Sequence, residues 1–424
     1  MHILLGIRCF AGARHWQMLK LTSVNYFLHF KLSDFSSHLC IMKILLLEPF
    51  FTGSHKKWAE EFKQFSRHQV DILSLSGSHW KWRMHGGAVS LANLVIPELT
   101  TPDLILATDM MDLNLFLSLT RAWSHDIPVA VYFHENQLNY PWSTTDADVR
   151  MNRDNHYAFI NYTSALAADR VFFNSEYHKK AFFQELPKFL SAFPDHQNPI
   201  SVRLIAAKSM VLPLGLNLKQ FDNHKPEKFD HQNGAVVLWN HRWEFDKNAE
   251  QFFNALFEIA DKGVDFKLVV LGQSYGKHPA VFDQANERLA EHILHFGYTS
   301  SFEEYAKWLW LSDLLPVTSN QDFFGGSVVE AMYCNAVPLL PKRLAYPEHI
   351  DKEYHSTYFY DNDDFVKKVH HRIMDVKYLR VMNSRQYAEK YDWTNLITTY
   401  DHEMEQVIES KKLNRPLKEA GIII

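Results

Sequence analysis

The stretch MKILLLEPFFTGSHKKWAEEF (residues 42–62) decides the fold. A short apolar run, Ile44–Leu47, leads to a Gly53-Ser54 turn and then to a helical pattern. This is the opening βα unit of a doubly wound α/β sheet. Strand candidates recur at α/β spacing downstream: Val70–Leu75, Leu104–Ala107, Val129–Phe133, Arg170–Phe173 and Met210–Pro213. Helical stretches, including Leu113–Trp123 and Tyr157–Ala167, lie between them. Such alternation implies a mostly parallel sheet with helices on both faces. Residues 217–234 are polar and strand-free and read as a linker. A second series then begins, with strands at Val236–Trp239, Lys267–Leu271, Ile293–Phe296, Leu314–Val317 and Ala336–Leu340. The expected architecture is therefore α/β, with two Rossmann-like doubly wound domains facing across a cleft. Their expected bounds are 42–216 for the N-terminal domain and 235–390 for the C-terminal domain. A C-terminal segment, 391–424, carries an amphipathic helix over about Trp393–Ser410. Residues 1–41 differ in character from the rest of the chain. Met42 at the junction is read as the true start, with 1–41 an over-extended reading of the gene; the alternative is a real, loosely attached extension.

Bulk properties agree with two domains. The chain has 424 residues, and a single core stops growing at about 250–300. Hydrophobic residues make up 46% and charged residues 22%, ordinary for a globular chain. The net charge of -5 excludes a whole-molecule pull toward nucleic acid, so an RNA contact needs a local basic patch. Three cysteines, Cys9, Cys40 and Cys334, are too few and odd in number for a disulfide framework, which fits a reducing, cytoplasmic setting. No run of 18 apolar residues is present, so no transmembrane helix is expected. The opening MHILLGIRCFAGARHW is interrupted by Arg8 and lacks a polybasic start, so no signal peptide is expected either.

Three segments carry chemistry. In DFFGGSVVEA (322–331), an acid precedes a glycine pair and a helical run brings a second acid, Glu330, eight positions on. Gly325 and Gly326 let backbone approach a ligand, and a helix N-terminus there suits a diphosphate. Glu330 is placed to accept from a ribose and Asp322 lies near the sugar, with Phe324 in the same donor segment. In WNHRWEFDKN (239–248), Arg242 and Lys247 sit in a loop after a strand, where two cations can hold a diphosphate leaving group; the bland alternative is a surface pairing with Glu244 and Asp246. In VYFHENQL (131–138), a strand runs straight into His134, Glu135, Asn136 and Gln137, at the strand end where open sheets bind ligands. Gly53-Ser54 and Gly272 repeat the strand-to-small-residue pattern without a full GxGxxG fingerprint, which disfavours a classical dinucleotide oxidoreductase. His79-Trp80-Lys81-Trp82-Arg83 interleaves cations with aromatics, as suits RNA, or forms a loop anchored by tryptophans. No metal site is expected: His292 and His295 read as half-buried packing, and Asp146-Ala147-Asp148 lacks a flanking apolar strand.

Together these segments resemble the large group of retaining glycosyltransferases with GT-B fold, and within it the tRNA-queuosine alpha-mannosyltransferase family. The finer likeness rests on LLLEPFFTGSHKKW, HWKWR (79–83), YFHENQLNYP (132–141), DRVFFNSEYH (169–178), FPDH (193–196), NHRWEFDKN (240–248), LGQSY (271–275) and DFFGGSVVEAMYCNAVPLLPKRLAYPE (322–348). It runs from about Met42 to the C-terminal helix. The resemblance implies transfer of mannose from GDP-mannose to queuosine in tRNA, with retained anomeric configuration, no metal and no cofactor beyond the sugar nucleotide. It further implies Arg242 and Lys247 on the diphosphate, Glu330 on the ribose, and Asp322 on sugar hydroxyls. His134 would stand beside the reacting sugar, with Glu135 and Asn136 near the acceptor and His79–Arg83 on the tRNA. One departure is clear: the first acid of the family's Glu-x7-Glu pattern is Asp322 here, one methylene shorter. Two other readings stand beside this one. A sugar transferase with a lipid or small-molecule acceptor predicts a basic amphipathic helix on the N-terminal domain, where Lys56-Lys57 and Lys179-Lys180 are small clusters only. A non-catalytic sugar-nucleotide or RNA-binding protein predicts loss of Arg242, Lys247 or Glu330, all of which are present.

Overall fold

The structure is a computed structural model that describes residues 41–95, 101–142, 146–151, 155–227, 234–274 and 278–419. The expectation about residues 1–41 lies outside these but for Ile41, where the folded unit begins. Two six-stranded parallel sheets form its frame. The first contains β1 (Lys43–Phe51), β2 (Gln69–Ser76), β3 (Leu104–Thr108), β4 (Val129–Phe133), β5 (Arg170–Phe173) and β6 (Ser209–Val211), in the order β2-β1-β3-β4-β5-β6. The second contains β7 (Ala235–Asn240), β8 (Phe266–Leu271), β9 (Ile293–Gly297), β10 (Leu314–Pro316), β11 (Val337–Pro341) and β12 (Phe359–Tyr360), in the order β12-β11-β10-β7-β8-β9.

The strands were readable because both faces of each sheet are covered, which makes their sequences continuous apolar runs. Every residue of β3, β4, β7 and β11 is buried. Alternation still sorts the side chains. Ile44 and Leu46 face one core layer with Trp58 and Phe62 of α1 (Gly53–Phe65). Leu45 and Leu47 face the other, which draws on α2 (Trp80–Leu94), α3 (Leu113–Ser124), α5 (Asn155–Ala167) and α6 (Glu176–Ser191). Between α3 and α5 lies the short α4 (Ala147–Arg150), and α7 (Pro199–Ala207) leads to β6. Helices α8 (Ala249–Asp261), α9 (Val281–Arg288), α10 (Phe302–Leu311) and α11 (Gly326–Tyr333) cover the second sheet.

The segment read as a linker departs from that reading in its first half. Lys219–His224 forms a 3-10 helix, and Leu218 and Phe221 are fully buried. The indole of Trp310 donates to the Phe221 carbonyl at 2.8 Å. Two large apolar residues among the polar ones suffice to dock this stretch on the second sheet's helices. Residues 228–233 lie outside the described residues.

The C-terminal helix, Trp393–Glu419, runs back to the first sheet and is longer than the sequence suggested. Its Trp393 indole donates to Glu61 of α1 at 2.8 Å, and Tyr400 donates to the Pro213 carbonyl at 2.7 Å. Lys411 reaches Asp169 beside β5 at 3.1 Å. This crossing fastens the start of the chain's first layer to its end. Trp393 is 0% exposed and lies against Gly215, where an added Cβ would come within 2.6 Å of the indole. Trp393→Ala is therefore expected to cost about 3–5 kcal/mol of unfolding free energy, measured by denaturant titration, and more than Leu396→Ala on the same helix. Equal losses for the two would remove Trp393 as the anchor.

Candidate active site

Both sheets reverse their winding beside their first strand. In the first sheet β2 lies on one side of β1 and β3 on the other; in the second, β8 and β10 flank β7. Such switch points leave a crevice at the carboxyl ends of the strands, where ligands bind. The loops after β1, β3 and β4 hold Gly53, Asp109 and His134, and those after β7 and β10 hold Arg242, Lys247 and Asp322.

On the second sheet, the loop after β7 closes with a 3-10 turn, Phe245–Lys247. Lys247 is 6% exposed. Its ammonium sits 2.9 Å from Asp322, 3.2 Å from Asp246 and 2.6 Å from the Gln321 carbonyl. Burial pushes its pKa down, but Asp322 and Asp246 outweigh that and hold it above the usual lysine value. Burial likewise pushes Asp322 up, and Lys247, His241 and the Tyr346 hydroxyl bring it below the ordinary aspartate value. Arg242, in contrast, is exposed and meets Glu244 only at 3.4 Å. Gly325 takes φ +86 as the residue before α11, a backbone that L side chains rarely adopt. At Gly326 an added Cβ would lie 3.8 Å from Leu214 and Leu216, an ordinary contact, and Gly326 and Ser327 are half-buried at the first turn of α11, where helix N–H groups lack intrahelical partners. Glu330, on the second turn, accepts from the Tyr305 hydroxyl at 2.7 Å.

Facing it, the first sheet presents a buried polar cluster. Glu48 of β1 accepts from the Phe50 N–H at 2.9 Å and pairs with His55 at 3.1 Å. The His55 ring packs 4.3 Å from that of His134, which stands edge-on to Trp58 at 4.7 Å. Asp109 accepts the His134 N–H at 2.7 Å. Burial disfavours a charged His55, yet Glu48, with help from Asp109 and Glu135, raises its pKa to about 9. Burial, then the charges of His55 and His178, push His134 well below its ordinary value, so it is neutral. Its Nε2 is buried and has no hydrogen-bond partner among the described residues. Glu48, His55 and His134 each bring one potential metal-ligand atom within 4.8 Å of the others. A protonated His55 already supplies the cation that Glu48 requires, so the group fits an ion pair better than a metal.

Several contacts join the two sides. Lys57 of α1 pairs with Glu330 at 2.7 Å. Glu348 accepts the first N–H groups of α6, from Glu176 at 2.9 Å and Tyr177 at 2.6 Å. Ser175 donates to the Phe323 carbonyl at 2.5 Å, and Phe323 stacks on His178 at 4.1 Å.

The structure thus brings His134 and Glu135 to the first sheet's edge, and Arg242, Lys247, Asp322, Gly325, Gly326 and Glu330 to the second's. Gly53 and Ser54 are exposed at the start of α1, Gly53 with φ +50. Other expectations need correction. Trp80–Arg83 is the first turn of α2, with His79 just before it, and its cations are engaged within the chain. Lys81 pairs with Asp146 at 2.6 Å and Asp148 at 2.5 Å, and Arg83 donates to the Ser76 carbonyl at 3.1 Å. Trp80 packs on Tyr157 and Trp142, while Trp82 is exposed. Asn136 is 0% exposed; its side-chain oxygen accepts from the N–H groups of Leu138 and Asn139 and so shapes the turn, while its Nδ2 has no hydrogen-bond partner among the described residues. Phe324 is buried against His349 and Tyr391. At Gly272 an added Cβ would fall 2.0 Å from the His241 carbonyl, so this glycine serves the close approach of two loops. His292 and His295 are half-buried, as expected, the former stacked on Phe266 at 4.2 Å. Sequence reasoning missed His55, Lys57, Asp109, Tyr305 and Tyr346. Only His55, directly after the Gly53-Ser54 turn, carried a local signal.

A family model described as tRNA-queuosine alpha-mannosyltransferase N-terminal matches residues 43–216, and one described as glycosyl transferases group 1 matches residues 220–390. The tRNA-queuosine alpha-mannosyltransferase of Drosophila melanogaster is 33% identical over 318 residues, covering 73% of this chain and 82% of that protein. Among solved structures, sucrose-phosphate synthase from Thermosynechococcus elongatus superposes with a TM-score of 0.63 at 13% identity, covering 87% of this chain and 100% of that one. A glycosyltransferase from Rickettsia africae gives 0.61 at 14% identity, covering 87% and 99%. At these identities the two structures speak for the fold alone, which is GT-B.

The His55–Glu48 pair makes stability depend on pH. His55 has an ordinary pKa of 6.5 and a folded value of about 9. Its contribution is complete below 6.5 and is lost as pH rises through 9. Burial raises Asp109 as well, to about 8, which adds loss in the same direction. Through His55 alone, unfolding free energy is expected to fall by about 3 kcal/mol between pH 6.5 and pH 9, and His55→Asn should remove that share of the slope. An unchanged slope in the variant would assign it to other groups.

Proposed function

The chain belongs to the tRNA-queuosine alpha-mannosyltransferase family, and on that premise we propose that it moves mannose from GDP-mannose to the cyclopentenediol of queuosine in tRNA, retaining the anomeric configuration. One observation supports the donor side of this reading: the half-buried N-terminus of α11 at Gly326 stands in the same loop system as the exposed Arg242 and the buried Lys247–Asp322 pair. The diphosphate meets the α11 N–H groups and Arg242, whose loose contact with Glu244 leaves it able to turn onto phosphate. Lys247 keeps Asp322 ionised and oriented toward sugar hydroxyls. Glu330 takes the ribose diol in exchange for Lys57, which then lies beside the diphosphate as a further cation.

The acceptor hydroxyl enters on the side of Glu135 and His134. The bond from the anomeric carbon to the phosphate oxygen breaks, a bond to the acceptor oxygen forms on the same face, and the acceptor's proton passes to the departing phosphate. Negative charge grows on the diphosphate only as that bond breaks, so donors fixed around it act on the transition state. Cations of the chain supply this stabilisation, and the reading includes neither metal nor cofactor. Among the described residues no helix is long and apolar enough to cross a membrane. The reading places the reaction in the cytosol, in keeping with the free Cys334.

Incubating the protein with radiolabelled GDP-mannose and tRNA with or without queuosine tests donor and acceptor together. Label is expected on queuosine tRNA alone. Protein that binds GDP-mannose but labels neither tRNA would keep the donor and remove the tRNA acceptor. Arg242→Ala is expected to lower turnover roughly 100- to 1,000-fold, and full turnover in that variant would withdraw Arg242 from the diphosphate.

A further inference from the structure

Strand β7 ends on Asn240, and His241 follows it; both are buried. The carboxyl tip of a central parallel strand is where an open sheet meets its ligand. Buried polar atoms at such a tip need partners. Asn240 has them. Its side-chain amide donates to the Ser327 carbonyl in the first turn of α11 at 2.9 Å and to the Tyr305 hydroxyl at 3.0 Å. The end of β7 is thereby tied to the start of α11.

His241 is fixed by its backbone. Its carbonyl accepts from the Trp239 indole at 2.9 Å, and Gly272 passes so close that a Cβ there would fall 2.0 Å from the same oxygen. The imidazole stands edge-on to Trp239 at 5.2 Å. Its Nδ1 lies 3.5 Å from the Ser327 hydroxyl, at the long end of a hydrogen bond. Its Nε2 is buried and has no hydrogen-bond partner among the described residues. The residue is 5% exposed. A polar atom is thus withdrawn from water and left unmatched, which folded proteins seldom do without a use for it.

The surroundings of the ring say what would match it. Burial lowers its pKa more than Asp322 raises it, and Lys247 and Arg242 lower it further, to about 4. The imidazole is therefore neutral and carries one proton. With the Ser327 hydroxyl donating to Nδ1, that proton sits on Nε2. Nε2 is then an N–H donor in a fixed place, and its partner must be an acceptor. The charges that act on the ring, Asp322, Lys247 and Arg242, are those already placed around the donor. A neutral donor among them adds a hydrogen bond without repelling the two cations. The acceptor that fits is a phosphate oxygen, brought in by a ligand that also meets Arg242 and the N–H groups of α11.

We propose that His241 is a diphosphate-binding residue, its Nε2–H donating to an oxygen of the phosphate that adjoins the sugar, with Ser327 fixing the tautomer. Asp322 faces the sugar in the reading above, and its charge acts on the ring more strongly than those of Lys247 and Arg242. His241 therefore serves that phosphate and not the one joined to the ribose. The inference rests on the reading of a nucleoside-diphosphate sugar as donor and adds a neutral contact to its cations.

Calorimetric titration with GDP and with GMP tests it in the unaltered protein, His241→Leu and His241→Gln. Leucine fills the space without a donor, and the glutamine amide restores a neutral N–H at the reach of Nε2. GDP affinity is expected to fall roughly 10- to 100-fold in His241→Leu, the scale of one hydrogen bond to a charged group. Most of that loss is expected to be recovered in His241→Gln, with GMP affinity unchanged in both. A parallel loss of GDP and GMP affinity makes His241 a packing residue, and unchanged GDP affinity in His241→Leu removes it from the diphosphate; either result overturns the proposal. Proton–nitrogen correlation NMR of the histidine rings gives a readout that does not depend on how His241→Leu folds. The Nε2 signal of His241, identified by its loss in His241→Gln, is expected to move when GDP is added to the unaltered protein and to stay in place with GMP. A signal indifferent to GDP also overturns the proposal. If the protein binds UDP in place of GDP, the reading of the donor base falls, and the same comparison with UDP and UMP decides the role of His241. Protein that binds neither diphosphate overturns the donor reading and this inference with it.

Discussion

The Lys247 ammonium is the interaction on which the cleft is organised. It is drawn out of water and held by two carboxylates and a carbonyl, from the loops after β7 and β10. Removing such a charge from solvent costs several kcal/mol, and only close, well-placed partners offset that cost. The loops are therefore fixed relative to each other before any ligand arrives, and with them the start of α11. The local balance is Lys247 against Asp246 and Asp322, with Arg242 paired to Glu244 on the exposed side. Only Arg242 of these charges is loosely held, so it is the one that can reorient toward an incoming anion without breaking a buried pair.

The first sheet solves the opposite problem. His55 and His134 lie ring against ring, and two buried imidazoliums 4.3 Å apart would repel strongly in a medium of low dielectric. Glu48 assigns the proton to His55, and His134 is left neutral with its Nε2 open. A neutral imidazole beside a sugar can orient a hydroxyl without competing with the cations that stabilise the leaving group. The two halves of the cleft thus differ: the second sheet's loops hold Lys247 between two carboxylates, and the first sheet holds a His55–Glu48 ion pair that leaves His134 neutral.

How much was legible in the sequence is set by the same physics. The strands of both sheets could be read because parallel strands buried on two faces leave uninterrupted apolar runs, as in Leu104–Thr108 and Val129–Phe133. Gly325, whose positive φ belongs to its own loop, was readable too. Residues whose role depends on a distant partner were not. Lys81 looks like a free cation until Asp146 and Asp148, about 65 positions on, are folded against it. Lys57 looks like a surface lysine until Glu330, 273 positions away, comes within 2.7 Å. Asn136 was drawn into the acceptor set by its neighbours His134 and Glu135, although local turn geometry uses its side-chain oxygen.

The long-range pairs also bear on how the halves of the cleft communicate. Glu330 is bonded through one oxygen to Tyr305, on its own side, and through the other to Lys57, across the cleft. In the proposed reading, a ribose diol that displaced Lys57 from that oxygen would change the charge presented at the start of α1, close to Gly53, Ser54 and His55. The hydrogen bonds from Ser175, Glu176 and Tyr177 to Phe323 and Glu348 involve a separate pair of elements and do not depend on Lys57. One seam of the cleft therefore persists through such an exchange while the other is remade. That arrangement would confine the rearrangement to the α1 side of the cleft and leave the α6 contacts in a single geometry.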